Sequence, residues 1–140
     1  MPPRPVRRAA LVAFVLLLAA WTWKLVEPNP FPEARRALGP WWAYLAAKGL
    51  HAGGYATLAV LGAVWPTTRP GRRAVTLFLL LHGVGTEVAQ AFVPGREGRA
   101  RDVLIDWAGV TSGLLAAWGV ARLRPVRGPV FPAGRAASAS

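Results

Sequence analysis

Polar residues that can transfer protons or bind anions recur at helical spacing within strongly apolar segments. Residues three, four or seven positions apart lie on one face of an α-helix, so each group predicts a polar stripe. The three stripes comprise Lys48, His51 and Tyr55, then Glu87 and Gln90, and finally Asp102 and Asp106. Where the stripes face one another, they bring an ammonium group, an imidazole, a phenol and carboxylates to one site.

Glu87, Asp102 and His51 are the candidates for a catalytic role. A carboxylate acts as a general base, and a histidine assists it, when both groups lie within about 3 Å of the reacting proton. Nearby arginines can hold a phosphate through charge-assisted hydrogen bonds. The candidate ligand-binding residues are therefore Lys48, His51, Tyr55, Glu87, Gln90, Arg96, Arg101, Asp102 and Asp106.

Two other interpretations of the same residues stay open. An ionised Glu87 facing lipid would cost about 2.5 to 3.5 kcal/mol, so we expect it to face protein, to be paired with Lys48, His51 or a nearby arginine, or to be protonated. In the first alternative, the polar residues only clamp the helices together. In the second, His51, Glu87, Asp102 and Asp106 bind a metal, but no ligand spacing of the HExxH kind supports this, and no metal is predicted.

His82 lies near the middle of its apolar run, about one and a half turns from Glu87. A neutral histidine packed against its neighbours is the expected state at such a position. We therefore expect His82 to stand apart from the predicted site.

Four apolar runs carry these residues. Hydrophobic residues make up 54% of the 140 residues and charged residues 16%, whereas about a quarter of a soluble domain is charged. A helix of about 20 residues crosses about 30 Å of hydrocarbon. The sequence therefore predicts an all-α fold, an integral membrane bundle of four transmembrane helices within residues 1–121, with spans at about 9–26, 45–65, 74–93 and 102–121.

Segments rich in proline, glycine and arginine separate the runs. EPNPFPEARRALGP (27–40), PTTRPGRR (66–73) and PGREGRAR (94–101) are predicted to be loops, because proline removes a backbone donor and interrupts helices. Residues 122–140 are expected to form a basic, disordered cytoplasmic tail.

Small residues and tryptophans add two expectations about packing. The pairs Gly49/Gly53 and Gly109/Gly113 fit the small-xxx-small pattern that lets helices approach closely. The seven tryptophans are predicted to form a belt at the membrane interface.

The positions of the basic residues predict an orientation. With four spans, the amino terminus, the 66–73 segment and the tail lie on one side and hold ten of the 17 Lys and Arg residues. The other side holds the remaining seven. Because Lys and Arg are enriched in cytoplasmic segments, both termini are predicted to be cytoplasmic and the polar residues to lie at the outer face.

Composition excludes several classes of function. The net charge of +11 comes from arginines beside apolar runs, which favours membrane lipid as a partner and not nucleic acid. The absence of cysteine excludes disulfides and thiol catalysis. No glycine-rich phosphate loop is present, so no cofactor is predicted, and the sequence carries no signal for the oligomeric state.

The stretch TEVAQAFVPGREGRARDVLIDWAGVTSG (86–113) resembles the VanZ-like family, whose members share a Glu-x-x-Gln, a Pro-Gly-Arg turn and an Asp that opens the last helix. KGLHAGGY (48–55) is similar to that family's Lys-x-x-His-x-x-x-Tyr segment. Two positions depart from the family pattern, with Ala47 where Asp is usual and Asp106 where Asn is frequent. The resemblance covers spans two to four and assigns the polar signature to Lys48, His51, Tyr55, Glu87, Gln90, Arg96 and Asp102.

The resemblance implies a multi-pass protein of the bacterial plasma membrane associated with glycopeptide (teicoplanin-type) resistance. We expect a cell-envelope accessory factor that acts at the outer leaflet on a lipid-linked or cell-wall-related ligand. A membrane-embedded hydrolase or transferase acting on a lipid-linked substrate is one alternative, and a structural scaffold without chemistry is another. The resemblance supplies no reaction, so the question of enzymatic activity stays open.

Overall fold

The structure, a computed structural model, describes residues 2–28, 32–66 and 68–123, without the side chains of residues 32–35. The described residues form helices and no strands, which confirms the predicted all-α class with four helices. The helices are α1 (Arg4–Val26), α2 (Pro32–Val64), α3 (Arg69–Gln90) and α4 (Ala100–Leu123).

Two of the four helices, α1 and α4, are long and apolar enough by themselves to cross a membrane, as judged over the described residues. The sequence predicted four such spans, and α2 and α3 do not reach the same mean hydropathy. The reason is their polar content, since α2 carries Lys48 and His51, and α3 carries His82, Glu87 and Gln90.

The outer surface of the bundle is apolar and its interior is partly polar. Leu16, Leu81 and Leu115 are each more than 60% exposed. Glu87, Gln90, Asp102 and Asp106, in contrast, are at most 5% exposed. This arrangement reverses that of a soluble protein, in which water covers the polar groups.

All three predicted loops are partly helical, the third only at residues 100 and 101, where α4 has begun. The loop prediction is wrong for residues 32–40, because α2 begins at Pro32 and continues to a kink at Gly39, whose φ of 75° lies in the left-handed region. Proline suits the first turn of a helix, where its missing N–H has no partner to lose. The prediction is also wrong for residues 69–73, since α3 begins at Arg69.

The start of α3 shows why a segment with proline and glycine can be helical. The side-chain oxygen of Thr68 accepts a hydrogen bond from the Gly71 N–H at 3.2 Å, and Pro70 lies in the first turn. Both features stabilise a helix start. At the other end of the chain, α4 continues to Leu123, so residues 122 and 123 of the predicted tail are helical. Residues 124–140 lie outside the described residues.

The helices alternate in direction along the chain. Lys48 contacts Asp102 and Ala56 contacts Gly113, so α2 and α4 run parallel. α1 runs antiparallel to α2, as the contact of Trp21 with Gly54 and that of Phe14 with Trp65 show. The end of α1, the end of α3 and the start of α4 therefore meet at one end of the bundle, beside the first part of α2.

One of the two predicted glycine pairs brings helices together. A Cβ atom added at Gly109 or Gly113 would collide with the carbonyl oxygen of Ala52 or Ala56 on α2. For Gly49 and Gly53 the prediction is wrong, since no described atom lies within 4 Å of an added Cβ. The close approach of α2 and α4 therefore depends on the glycines of α4.

The tryptophans divide between the surface and the interior. Trp23, Trp41, Trp42 and Trp118 are each at least 55% exposed. Trp65 instead packs on Phe14, with ring centroids 6.1 Å apart. Trp21 packs against the His51 ring, and Trp107, which is 40% exposed, donates to the carbonyl oxygen of Leu80. The belt at the membrane interface stays a prediction.

Candidate functional site

The three polar stripes predicted from the sequence meet at the end of the bundle where α3 ends and α4 begins. The Nζ atom of Lys48 lies 2.6 Å from both carboxylate oxygens of Asp102. About one turn further along both helices, His51 Nδ1 lies 2.9 Å from Asp106 Oδ1. Because Gly109 and Gly113 let the two backbones touch, these short polar contacts form between α2 and α4.

The Lys48–Asp102 contact is a partly buried ion pair. The side chains are 19% and 7% exposed, and the Lys48 ammonium also lies 5.2 Å from the centroid of the Tyr44 ring. Ala47 lacks the carboxylate that the family pattern places beside Lys48, and in this chain Lys48 pairs with Asp102 of α4. The charge of Asp102 is therefore neutralised within the protein.

Glu87 is buried, and no described lysine or arginine forms an ion pair with it. Its Oε2 atom accepts a hydrogen bond from the backbone N–H of Arg99 at 2.8 Å, while Oε1 has no partner among the described residues. Gly98 makes this contact possible, because a side chain there would collide with the carbonyl oxygen of Glu87. The loop between α3 and α4 thus lies directly against the end of α3.

The Pro-Gly-Arg segment is a type II turn that links α3 to α1. The Arg96 N–H donates to the carbonyl oxygen of Val93 at 3.0 Å, with Pro94 second and Gly95 third at a φ of 77°. A type II turn requires positive φ at its third residue, which favours glycine. The guanidinium of Arg96 then donates to the carbonyl oxygen of Leu25 at 3.0 Å. In this structure Arg96, predicted to bind ligand, fastens the turn to the last turn of α1.

Tyr55 and His82 form a second chain of hydrogen bonds, about one helical turn further along α2 than the His51–Asp106 contact. The Thr22 hydroxyl donates to the Leu18 carbonyl oxygen at 2.7 Å, so its oxygen accepts from His82 Nε2 at 2.9 Å. His82 Nδ1 then accepts from the Tyr55 hydroxyl at 2.9 Å. This pattern assigns the Nε2–H tautomer to His82, because a neutral histidine donates from one nitrogen only.

Sequence reasoning separated His82 from the site and missed Thr22 and Thr86. Thr86 lies 3.3 Å from the Tyr55 hydroxyl and four residues after His82, a spacing that places the two on one helix face. That spacing was a usable signal. No comparable signal marked Thr22, a single hydroxyl in an apolar run.

Several buried polar atoms of the cluster have no partner. Within the described ranges these include Glu87 Oε1, Gln90 Nε2 and Asp106 Oδ2. An unsatisfied buried polar atom costs about 1 to 3 kcal/mol. His51, Glu87 and Asp106 each offer an atom that could bind a metal ion, and these atoms lie within 4.8 Å of one another.

An open groove lies beside the cluster. It is lined by Pro40, Trp41, Tyr44, Arg99 and Arg101. The rings of Trp41 and Tyr44 stack at 6.2 Å, and Arg101 Nη1 donates to the Tyr44 hydroxyl at 3.3 Å. The hydrogen bonds from the Arg99 guanidinium to Glu97 raise the pKa of Arg99, so this guanidinium is positively charged.

A sequence model of the VanZ/LLP1 family matches residues 7–122. No curated protein and no solved structure matches the chain. The matched region includes the polar cluster, the Pro-Gly-Arg turn and nearly all of the four helices. Because the match extends over most of the 140 residues, the chain belongs to the VanZ/LLP1 family.

Proposed function

We propose that this protein is a cell-envelope accessory factor of the bacterial plasma membrane that binds an anionic, lipid-linked ligand in the groove beside the polar cluster. Binding there would contribute to tolerance of teicoplanin-type glycopeptides, as the family membership suggests. The proposal rests on one observation: two arginines and two aromatic residues line the same groove at one end of an apolar bundle. They are Arg99, Arg101, Trp41 and Tyr44.

The chemistry of the groove fits a phosphate-bearing headgroup. Guanidinium groups bind phosphate through paired N–H donors. Tryptophan and tyrosine favour the interface between hydrocarbon and water. Trp41 is 64% exposed, so its ring is free to contact a sugar or an acyl chain attached to the phosphate.

All four helices are proposed to cross the membrane. α3 has 22 residues and α2 has 25 residues after the kink at Gly39, which is enough to span about 30 Å. In the second half of α3, Thr86, Glu87 and Gln90 are buried, whereas Leu81 and Val88 are more than half exposed. Lipid would therefore contact an apolar surface on α3 as well as on α1 and α4.

The proposed orientation has both termini in the cytoplasm and the groove at the outer face. The chain has no cysteine, so single cysteines can report the side of the membrane. Glu97→Cys is predicted to react with an impermeant thiol reagent in intact cells, and Arg73→Cys to react only after the membrane is opened. Both positions are exposed, so accessibility to solvent is matched. The reverse labelling pattern would contradict the orientation.

Antibiotic tolerance tests the function directly. Production of the wild-type chain in a susceptible bacterium is expected to raise its tolerance to a teicoplanin-type antibiotic. Arg101→Gln and Trp41→Ala should reduce this effect at unchanged membrane abundance, because each removes a group of the groove. Arg73→Gln and Trp23→Ala are matched controls, since they make the same changes at exposed positions outside the groove.

Two other outcomes would favour the alternatives. If Glu87→Gln removes tolerance while the groove variants do not, the buried carboxylate acts in a reaction, as in a hydrolase or transferase. If every variant acts only through protein abundance, the polar cluster is a structural clamp, which the Lys48–Asp102 pair would explain. No change in tolerance with the wild-type chain would contradict the proposed envelope function.

A further inference from the structure

Three buried side chains from three different helices converge next to the Lys48–Asp102 pair. His51 of α2, Glu87 of α3 and Asp106 of α4 are 8%, 4% and 0% exposed. Each offers one atom that lies within 4.8 Å of the others. An imidazole and two carboxylates in such proximity are a set of metal ligands.

The two carboxylates of this group lack a lysine or arginine partner among the described residues. Among the described residues, Lys48 pairs with Asp102 and Arg99 pairs with Glu97. No described lysine or arginine lies within ion-pair distance of Glu87 or Asp106. Asp106 has only the His51 imidazole as a partner, which is charged only when protonated. Two buried carboxylates with at most this one cation are unfavourable in a medium of low polarity.

The carboxylate oxygens without a hydrogen-bond partner are independent evidence that the site lacks positive charge. Glu87 Oε1 and Asp106 Oδ2 are buried and make no hydrogen bond within the described part of the chain. Both belong to side chains that are more than nine-tenths buried. A ligand that supplies positive charge would satisfy these atoms.

We propose that His51, Glu87 and Asp106 form a binding site for a divalent cation, with Zn²⁺ as the ion that fits the ligands best. Zn²⁺ accepts imidazole and carboxylate ligands, whereas Mg²⁺ and Ca²⁺ prefer oxygen ligands alone. Two carboxylates and a neutral imidazole balance the charge of the ion. Three protein ligands leave a fourth position, which accepts an oxygen of water or of an anionic headgroup.

The distances require only a small movement of side chains. Neighbouring ligands on tetrahedral Zn²⁺ lie about 3.3 Å apart, given bonds of about 2.0 to 2.1 Å. His51 Nδ1 and Asp106 Oδ1 are already 2.9 Å apart, so on binding the ion replaces the hydrogen bond between them. Glu87 Oε1, which has no partner in the described part of the chain, completes the set, while Oε2 keeps its hydrogen bond to the Arg99 N–H.

The surroundings hold the proposed ligands in place. The Arg99 N–H fixes Oε2 of Glu87, and carboxylates that bind metals are usually oriented by such a second hydrogen bond. Asp102 is not a ligand, because Lys48 occupies both of its oxygens. His82 is not one either, because Thr22 and Tyr55 occupy both of its nitrogens.

The experiment measures Zn²⁺ bound to the purified full-length chain in detergent. Wild-type protein, freed of metal and dialysed against Zn²⁺, should bind about one ion per chain. Loss of a residue that only orients a metal ligand weakens metal binding by about 10- to 100-fold. Removal of one proposed ligand should weaken Zn²⁺ binding by more than this, and the three variants that test it are His51→Gln, Glu87→Gln and Asp106→Asn. Mn²⁺ and Mg²⁺, titrated in the same way, should bind more weakly than Zn²⁺.

Matched variants separate the site from adventitious binding. Glu97→Gln makes the same change as Glu87→Gln at an exposed position, and His82→Gln makes the same change as His51→Gln outside the ligand set. Both controls should bind Zn²⁺ as the wild type does. The proposal is overturned if wild-type protein binds no Zn²⁺, or if the ligand variants bind as tightly as the controls. If one ligand variant fails to fold, the wild-type stoichiometry and the other two variants still test the proposal.

The cation site goes beyond the proposed function and does not depend on it. Zn²⁺ binding is measured without any ligand in the groove and without an antibiotic. Loss of tolerance in Arg101→Gln with unchanged Zn²⁺ binding would therefore separate the groove from the cation site.

Discussion

Charged side chains are buried at one end of the bundle and largely exposed at the other. At the polar end, buried side chains meet at short distances, as in the pairs Lys48–Asp102 and His51–Asp106. At the other end, Arg4, Arg7 and Arg8 line an open groove beside Trp65. Arg4 and Arg8 are exposed and Arg7 is half-buried, and none of the three forms an ion pair with a described residue. Buried charges need partners at fixed positions, whereas exposed charges rely on water and lipid headgroups.

The difference indicates what each end contributes. A fixed arrangement of buried groups can recognise one ligand or one ion, because any displacement leaves a charge unpaired. A cluster of exposed arginines attracts any anionic surface and helps to orient the chain in the membrane. Specific chemistry is therefore expected at the polar end only.

The largest effect is expected from breaking the buried ion pair. Lys48→Met leaves Asp102 without its cation and should lower the free energy of unfolding by about 3 kcal/mol, the lower end of the range for buried pairs, because Lys48 retains 19% exposure. Denaturant unfolding in detergent would measure this change.

The control for this variant is the other lysine pair. Lys24 and Glu27 are also 2.6 Å apart but are 43% and 32% exposed, so Lys24→Met should cost only about 0 to 1 kcal/mol. The double variant Lys48→Met with Asp102→Leu should recover most of the loss. Equal effects of the two single lysine variants would show that the polar end is no more specific than an exposed pair.

A somewhat smaller effect is expected from separating α2 and α4. Gly109→Ala places a methyl group against the carbonyl oxygen of Ala52 and should destabilise the protein by about 1 to 3 kcal/mol. Gly49→Ala, where no described atom lies nearby, should be neutral or stabilising by up to about 1 kcal/mol. The same unfolding measurement applies, and a harmless Gly109→Ala would contradict the close contact that aligns the polar residues.

A substitution in the Pro-Gly-Arg turn should have a smaller effect on the free energy of unfolding. Gly95→Ala forces a side chain into a positive φ of 77° and should cost about 1 to 2 kcal/mol. Gly85→Ala, in α3 with open space around it, is the control and should not destabilise. Thermal unfolding monitored by tryptophan fluorescence would compare the two, and equal melting temperatures would argue against a strained turn.

The smallest effect is expected at the basic end. Arg8→Gln should reduce the preference for anionic over zwitterionic lipid about fivefold at low salt, and less at high salt, because headgroup contacts are screened. Arg8→Lys keeps the charge and should behave as the wild type. Native mass spectrometry of bound lipid at two salt concentrations would measure this, and a large effect that does not depend on salt would indicate a specific site at this end too.

Local structure accounts for the expectations that failed. The segments around Pro32 and Pro70 were expected to be loops because proline ends helices, yet both prolines lie at helix starts, where the missing N–H costs nothing. Gly49 and Gly53 have the same spacing as Gly109 and Gly113, but only the second pair faces another helix. Spacing identifies residues that share a face and does not reveal what that face contacts.

The sequence by itself determined the all-α class, the four helices and the three polar stripes, because helical periodicity depends on residues only a few positions apart. Only the tertiary structure decided which groups meet. Lys48 pairs with Asp102, Glu87 binds the Arg99 N–H, and His82 joins Thr22 to Tyr55. These partners depend on how whole helices are rotated and displaced. Gly109 and Gly113 let α4 touch α2 beside the Lys48–Asp102 pair, and Gly98 lets the loop touch α3 beside Glu87. No local pattern specifies those contacts.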